Sequence, residues 1–332
     1  MNTLREVARA AGVSTASASR VLSGGGNVSA GLQLRIRAAA SRLGYVPNLA
    51  ARTLATRRSG LIGVVCDGAG DAVTAEIVMA CEGKLAGAGY GVLMAFADRG
   101  TTVSATDALI GRGAEAMIFA DIAPELKRAA VPHRVPCVHL NDGFAPDGVI
   151  GISIGRREGA VLAARYLQSL GHKALGLIGS PGKDVAEAVQ AAVDGPVTVE
   201  TSSGDHDLDA ARSAIRSWLE RDDPPTAIIC GSDALALAAL RECASRGIPV
   251  PESLSLVGIG DAVFARYAYP ALSSVRIATT ELGVRVAEAV LAALEGRTLP
   301  SLAIPVKLIA RESTAPPGAS PMRSLENVPR GT

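Results

Sequence analysis

Aromatic residues are scarce in this chain: one Trp, five Tyr and four Phe in 332 residues, 3% in all. Since 48% of the residues are hydrophobic, the cores must be built from Ala, Val, Leu and Ile, and a fibrous or disordered chain is excluded. Cys-x-x-Cys pairs are missing. The five Cys (66, 81, 137, 230 and 243) are scattered, which excludes a disulfide framework and a thiolate metal site and suits a reducing cytosol. Most lie in apolar runs such as Val64-Val65-Cys66 and Ile228-Ile229-Cys230, where a free Cys is a small hydrophobe. The four His (133, 139, 172 and 206) form no ligand or triad pattern. No apolar run reaches the length of a membrane span, and no apolar leader opens the chain. A cytoplasmic protein with no metal and no cofactor is expected, and no nucleophile–base constellation suggests an enzyme.

Lysine is also absent from the first 58 residues, and Glu6 is the only acid there. What that segment has is nine Arg (5, 9, 20, 35, 37, 42, 52, 57 and 58), a net +8 that leaves −7 on the rest of a chain totalling +1. A basic head on an acidic body points to a nucleic-acid partner for the head.

The head reads as helices. Thr3-Leu4-Arg5-Glu6 fits a capping box for a helix to about Ala10. Gly12 breaks it, and a second helix covers about Thr15 to Leu22. Gly24-Gly25-Gly26 is a loop, and Ser29 caps a third helix carrying Leu34, Ile36 (or its neighbour Leu32) and Leu43. Residues 49–56 read as a short helix too isolated to be stable alone. From Leu61 the pattern changes. Apolar runs at 61–65, 91–95, 116–119, 137–140, 174–178, 227–230 and 255–259 alternate with helical segments, among them 74–87, 104–112 and 209–219. That predicts parallel sheets covered on both faces, in two similar halves split near residue 154, with ligands at the strand C-terminal ends. Gly204-Asp205-His206-Asp207 reads as a capping loop rather than a metal site.

Residues 4–23 fit a helix-turn-helix. Ala8 is the small residue at the crossing, and Gly12 tolerates the φ > 0 of the sharp turn. Val7, Val13, Ala18 and Val21 fall inward, leaving Thr15, Ala16, Ser19 and Arg20 on one outward face with Ser17 on its flank.

With these, Val13-Ser14-x-x-Ser17-Ala18-Ser19-Arg20-Val21-Leu22, Val28-Ser29, Leu43-Gly44-Tyr45-Val46-Pro47-Asn48 and Ala50-Ala51-Arg52-x-Leu54 resemble the lactose/galactose repressor (LacI/GalR) family. The likeness continues through Leu170-Gly171-His172, Ser232-Asp233-Ala234-Leu235-Ala236, Gly247-Ile248-Pro249-Val250-Pro251, Ser255-Leu256-Val257-Gly258 and Pro270-Ala271-Leu272-Ser273-Ser274-Val275. It implies an all-α helix-turn-helix head (1–46), a hinge helix and linker (47–59), and an α/β periplasmic-binding-protein-like body (60–316) of two doubly wound parallel-sheet lobes. The N-lobe is expected at about 60–153 and 276–298, the C-lobe at about 154–275 and 299–316, and a disordered tail at 317–332.

The resemblance also implies roles. The second helix lies in the major groove, where Thr15, Ala16 and Arg20 match positions facing base edges. Arg20 suits a guanine, whose O6 and N7 its fork fits, and Ala16 a thymine methyl. Thr3, Ser14, Ser17, Ser19 and Asn27 match phosphate-binding positions. Asn48, Ala51 and Leu54 belong to the hinge helix, which pairs with its dimer mate in the minor groove. Leu54 matches a wedge that kinks DNA, or else is an ordinary dimer-packing Leu. The implied protein is a homodimeric repressor on a pseudo-palindromic operator of double-stranded DNA, controlled by a small-molecule effector.

The cleft departs from the family pattern. Val73-Thr74 stand where an aromatic pair is usual, Gly155-Arg156 replace Asp-Asn, the segment Gly182 to Glu187 holds no Arg, and Gly260-Asp261 replace Asp-Asp. Val73, Arg156, Lys183, Ser232, Asp233 and Asp261 are the candidate effector contacts, and Asp233 is equally a helix N-cap. An ordinary sugar in the usual pose is not expected. A different ligand, anionic and held by Arg156 or Lys183, and no ligand at all both stay open. The alternative for the whole chain is a solute-binding protein, which would not need a basic head.

Overall fold

The computed structural model describes residues 2–22, 28–45, 58–67, 72–97, 101–120, 135–140, 142, 149–179, 183–201, 208–297, 299–300 and 303–318. The chain separates into two compact units, Met1–Gly60 and Leu61–Thr332.

The first unit holds three helices, α1 (Leu4–Ala11), α2 (Thr15–Leu22) and α3 (Ala30–Arg42). Thr3 and Glu6 make the reciprocal capping box. Gly12 sits at φ 63°, so its N–H reaches Arg9 O (3.1 Å) and the Val13 N–H reaches Ala8 O (2.9 Å). These are the two bonds of a Schellman motif, whose left-handed residue costs Gly nothing. Val7, Ala8, Ala11, Ala18, Val21 and Ile36 are buried together. Two expectations fail here. Ser29 precedes α3 but makes no side-chain capping bond; Gln33 Nε2 instead reaches back to Val28 O (2.9 Å). Leu34 is 70% exposed while Ile36 is fully buried, because a helix presents one stripe to the core and residue 36 takes it.

The second unit is α/β. Its chain runs β1 (Leu61–Asp67), α4 (Ala72–Gly87), β2 (Gly91–Ala97), α5 (Thr102–Gly111), β3 (Ala114–Ala120), β4 (Cys137–Leu140) and β5 (Ile150–Ile152). These strands form one sheet in the order β2-β1-β3-β4-β5, every pairing parallel. Next come α6 (Arg156–Ser169), β6 (Leu175–Gly179), α7 (Lys183–Ala192), β7 (Val197–Thr201), α8 (Leu208–Leu219), β8 (Ala227–Cys230), α9 (Asp233–Ser245), β9 (Ser255–Gly260) and, after a 3₁₀ turn (Val263–Tyr267), β10 (Ser273–Arg276). Then α10 (Thr279–Leu294) crosses back to pack on α4, β3 and β4, and β11 (Lys307–Ile309) returns to the second sheet. That sheet runs β11-β10-β9-β8-β6-β7, antiparallel only at β10–β11.

Inner strands are buried along their whole length, as in β8 and β9, because helices cover both faces of a parallel sheet. The edge strand β2 alternates in exposure. Strands β5, β7, β10 and β11 were not among the predicted runs; β7 (VTVET) mixes polar and apolar residues, and the others are only three or four residues long. All five Cys are free and buried, and burial pushes the Cys81 and Cys137 thiols up to about 12, which keeps them unreactive.

Candidate nucleic-acid interface and ligand cleft

In the head, α2 places buried Ala18 and Val21 on one side and exposed Thr15, Ala16, Ser19 and Arg20 on the other. Ser14 caps this helix: its hydroxyl accepts the Ser17 N–H (3.1 Å) and lies 2.9 Å from the Ser17 hydroxyl. Thr3 is exposed, but its hydroxyl donates to Glu6 Oε2 (2.9 Å), as does its N–H (2.6 Å). Those bonds hold the Glu6 carboxyl below the usual carboxylate range, the backbone one most. Arg35 Nε donates to Ala11 O (3.2 Å), tying α3 to the turn. Asn27, Asn48, Ala51 and Leu54 lie outside the described residues.

In the body, the residues picked from sequence do not form one open cluster. Ser232 is the N-cap of α9, accepting the Leu235 N–H (3.3 Å). Asp233 is not a cap. It is the first residue of the helix, and its side chain turns inward to accept from Ser274 Oγ (2.6 Å, on Oδ1) and the Ala262 N–H (2.6 Å, on Oδ2). Burial pushes its carboxyl up to about 6, against the pull of these two bonds. Asp261, at φ 56°, accepts from Arg276 Nε (2.7 Å) and Nη2 (2.6 Å) on Oδ2 and from Arg311 Nη2 on Oδ1. Arg311 also donates to Leu272 O (2.6 Å). The Asp261 carboxylate is 1% exposed.

Gly260 lies between these groups. A β-carbon there would stand 2.9 Å from a Val73 methyl and 3.2 Å from Asp233 Oδ2. Val73 thus fills space over the end of β9, and a side chain at 260 would require Val73 to shift and would adopt a backbone conformation that favours glycine. Val73 and Asp233 meet at this point, while the adjacent Asp261 directs its carboxylate to Arg276 and Arg311.

Gly155 and Arg156 have a different explanation. Gly155 sits at φ 93° ahead of α6, and a β-carbon would be 2.8 Å from Val306 Cγ1. The capping carboxylate comes from Asp142 instead. Its Oδ1 accepts from Ser153 Oγ (2.7 Å) and the Gly155 N–H (2.6 Å), and its Oδ2 from the Arg156 N–H (2.7 Å). An anion at a helix N-terminus satisfies orphan donors and complements the macrodipole. Lys183 heads α7, and its side chain lies outside the described atoms. Asp142, Ser274, Arg276 and Arg311 were not anticipated. Asp142 follows the apolar run of β4, the one local signal that could have marked it.

Residues 3–48 match the bacterial regulatory proteins of the lacI family, and residues 164–314 match the periplasmic binding protein-like domain. The chain is 30% identical to the HTH-type transcriptional regulator GalR of Escherichia coli (strain K12), over 96% of this chain and 97% of that one. This chain belongs to the lacI family of bacterial regulatory proteins. It is 31% identical to the HTH-type transcriptional regulator CelR of Thermobifida fusca, over 94% of this chain and 98% of that one. Its fold is similar to that of the lac repressor dimer bound to operator and the anti-inducer ONPF, with TM-score 0.77, 24% identity, and 95% and 99% of the two chains covered. The chain is therefore a DNA-binding transcriptional regulator with a helix-turn-helix head and a periplasmic-binding-protein-like body. Among the described residues no helix is long and apolar enough to cross a membrane.

Proposed function

We propose that this lacI-family regulator is a homodimeric repressor, without catalytic activity, that acts on chromosomal DNA in the cytoplasm. Its domains are the head (1–46), the hinge helix and linker (47–59) and the two-lobed body (60–316). The observation that carries the reading is the surface of α2: four exposed residues, Thr15, Ala16, Ser19 and Arg20, opposite a buried Ala18–Val21 seam, on a segment of net charge +8.

Small side chains keep the helix slim enough for the major groove. Arg20 pairs with a guanine through O6 and N7, and Ala16 meets a thymine methyl. Ser14, Ser17, Ser19, Thr3 and Asn27 set register on the phosphates. Thr3 gives both its hydroxyl and its N–H to Glu6, so its phosphate contact requires one of those donors to turn from the cap to the DNA; Ser14 accepts the Ser17 N–H and uses its own O–H to donate to a phosphate oxygen. Asn48, Ala51 and Leu54 act in the minor groove as part of the paired hinge helices. A homodimer is supported by the edge strand β2, which leaves Met94 and Phe96 exposed on one face, and by Met79 of α4, 73% exposed; such apolar surface marks an interface.

The cleft reading is narrower than the residue choice made from sequence. Asp233 and Asp261 spend their oxygens internally and offer little to sugar hydroxyls. This supports a ligand other than a plain sugar in the usual pose.

The test is a gel shift on the gene's own promoter across a salt series, wild type against Arg20→Ala. Loss of one bidentate base contact should weaken specific binding by about 5- to 150-fold and leave most of the salt slope, which phosphate contacts set. Full specific affinity in Arg20→Ala would overturn readout by Arg20. No binding to any promoter fragment would overturn the repressor reading.

A further inference from the structure

We infer that the edge of the second sheet, beside the crossover from β10 to α10, binds an acidic ligand group, a carboxylate or a phosphate, between Arg276 and Lys307. The proposal rests on the reading of this chain as a ligand-controlled regulator and names the ligand's chemical class.

Arg276 and Lys307 are directly paired across the antiparallel β10–β11 ladder. Residues directly opposite one another point to the same face with β-carbons about 5 Å apart, and like charges there repel. Both residues are exposed, so the repulsion is not relieved by sending one side chain inward. The adjacent carboxylate does not relieve it either. Asp261 is buried, and its oxygens are shared between Arg276 and Arg311. Two guanidiniums therefore share one carboxylate, and Lys307 adds a further cation opposite Arg276 on the neighbouring strand.

The guanidinium of Arg276 is half-exposed and uses Nε and Nη2 on Asp261; its Nη1 has no hydrogen-bond partner among the described residues. Asp261 thus pre-orients the Arg276 fork, and Lys307, opposite Arg276 in the ladder, supplies a second cation on the same face. An oxygen-rich anion fits this pair through charge-assisted hydrogen bonds. Asp142, two residues after β4, and Asp233, three after β8, are spent on backbone N–H and hydroxyl donors. They do not compete for the two cations.

Position gives the site a consequence. Residues 277 and 278 join β10 to α10, which packs on the first sheet. An anion held between β10 and β11 sits beside this crossover, and its occupancy shifts the balance between lobe orientations by as much as it binds one of them more tightly.

The test uses the full-length chain and titration calorimetry at fixed ionic strength with inorganic phosphate, citrate, glucose 6-phosphate and glucose. At least one anionic probe should bind, and glucose should bind at least about tenfold more weakly than glucose 6-phosphate. Lys307→Gln touches an exposed residue, and the fold should survive it. It should weaken the anion by about tenfold or more, the worth of one charge-assisted hydrogen bond, with ligand-free promoter binding unchanged. Arg276→Lys, which keeps the charge but loses the fork, should weaken it as well. Failure of all three anions to bind, equal binding of glucose, or anion binding unchanged in Lys307→Gln would overturn the proposal. Promoter binding measured on the same preparations separates the two readings. If it is intact while the anions fail, only this site falls; if it is lost in wild type, the repressor reading falls.

Discussion

Glu242→Gln tests whether charge placement in the second lobe matters as its geometry indicates. The Glu242 carboxylate is 3% exposed, yet three guanidiniums reach it: Arg212 Nε (3.0 Å) and Arg216 Nε (2.8 Å) from α8, and Arg246 Nε (2.8 Å) from the end of its own helix α9. The Arg216 bond foremost, with Arg246 and Arg212 behind it, holds this carboxyl down from 4.5 to about 2. A depression of that size corresponds to about 3 kcal/mol. The three Arg side chains are 41–45% exposed, so solvent screens part of it, and about 2 kcal/mol is the expected loss in the neutral variant. For a body of this size that lowers Tm by about 4–8 °C. The assay is thermal unfolding of wild type and variant followed by circular dichroism across pH. A depressed carboxyl stabilises fully above its unfolded value, so the gap between the two proteins should be complete at pH 7. It should shrink as pH falls below about 4.5 toward 2. A variant within about 0.5 kcal/mol of wild type at pH 7, or a gap that widens in acid, would refute the reasoning.

Three further outcomes are expected. Asp142→Ala removes the carboxylate that caps α6 from another element, and should cost about 1–2 kcal/mol in urea unfolding. Adding Gly155→Asp, the local residue usual in the family, should lower stability further rather than restore it, because φ 93° and the Val306 contact reject a β-carbon; full rescue would show the cap is not set by that packing. Leu54→Ala should retain half-site contacts in a footprint while DNA bending, read by circular permutation of the promoter fragment, falls; unchanged bending would remove the wedge role.

The helices of the head were legible because their signals are local. A capping box, a glycine at the turn and a 3.6-residue apolar stripe lie within a few residues of the positions they specify. The α2 boundaries, Thr15 to Leu22, follow from these alone. Long apolar strands such as β1 and β9 were equally plain. Strands β5 and β11 were not, since three residues carry too little pattern to distinguish a strand from a loop. Ser29 shows the limit of a cap signature: the residue type is right, and the bond is absent.

In the cleft, sequence identified where the chain departs from its family but not why. Gly155-Arg156 and Gly260 read as losses of ligand-binding groups. The fold shows two packing solutions, with a capping carboxylate brought in from Asp142 and a Val73 methyl seated where a side chain at 260 would stand. Asp233 was evenly balanced between cap and ligand; it is not the cap, which is Ser232, and its partners Ser274 and Ala262 lie 41 and 29 residues away.

By itself the amino-acid sequence determined the basic head, its helix-turn-helix and the outward face of the second helix, the alternation of buried strands and helices, and the family. All of these rest on residue type and short-range spacing. Only the tertiary structure decided which carboxylates are spent and which cations remain available. Asp142, Asp233 and Asp261 are each satisfied by donors from distant parts of the chain, and Arg276 meets Lys307 only because β11 returns antiparallel to β10. Hydrogen bonds and charges act over a few ångströms of space, and separation along the chain does not report that distance.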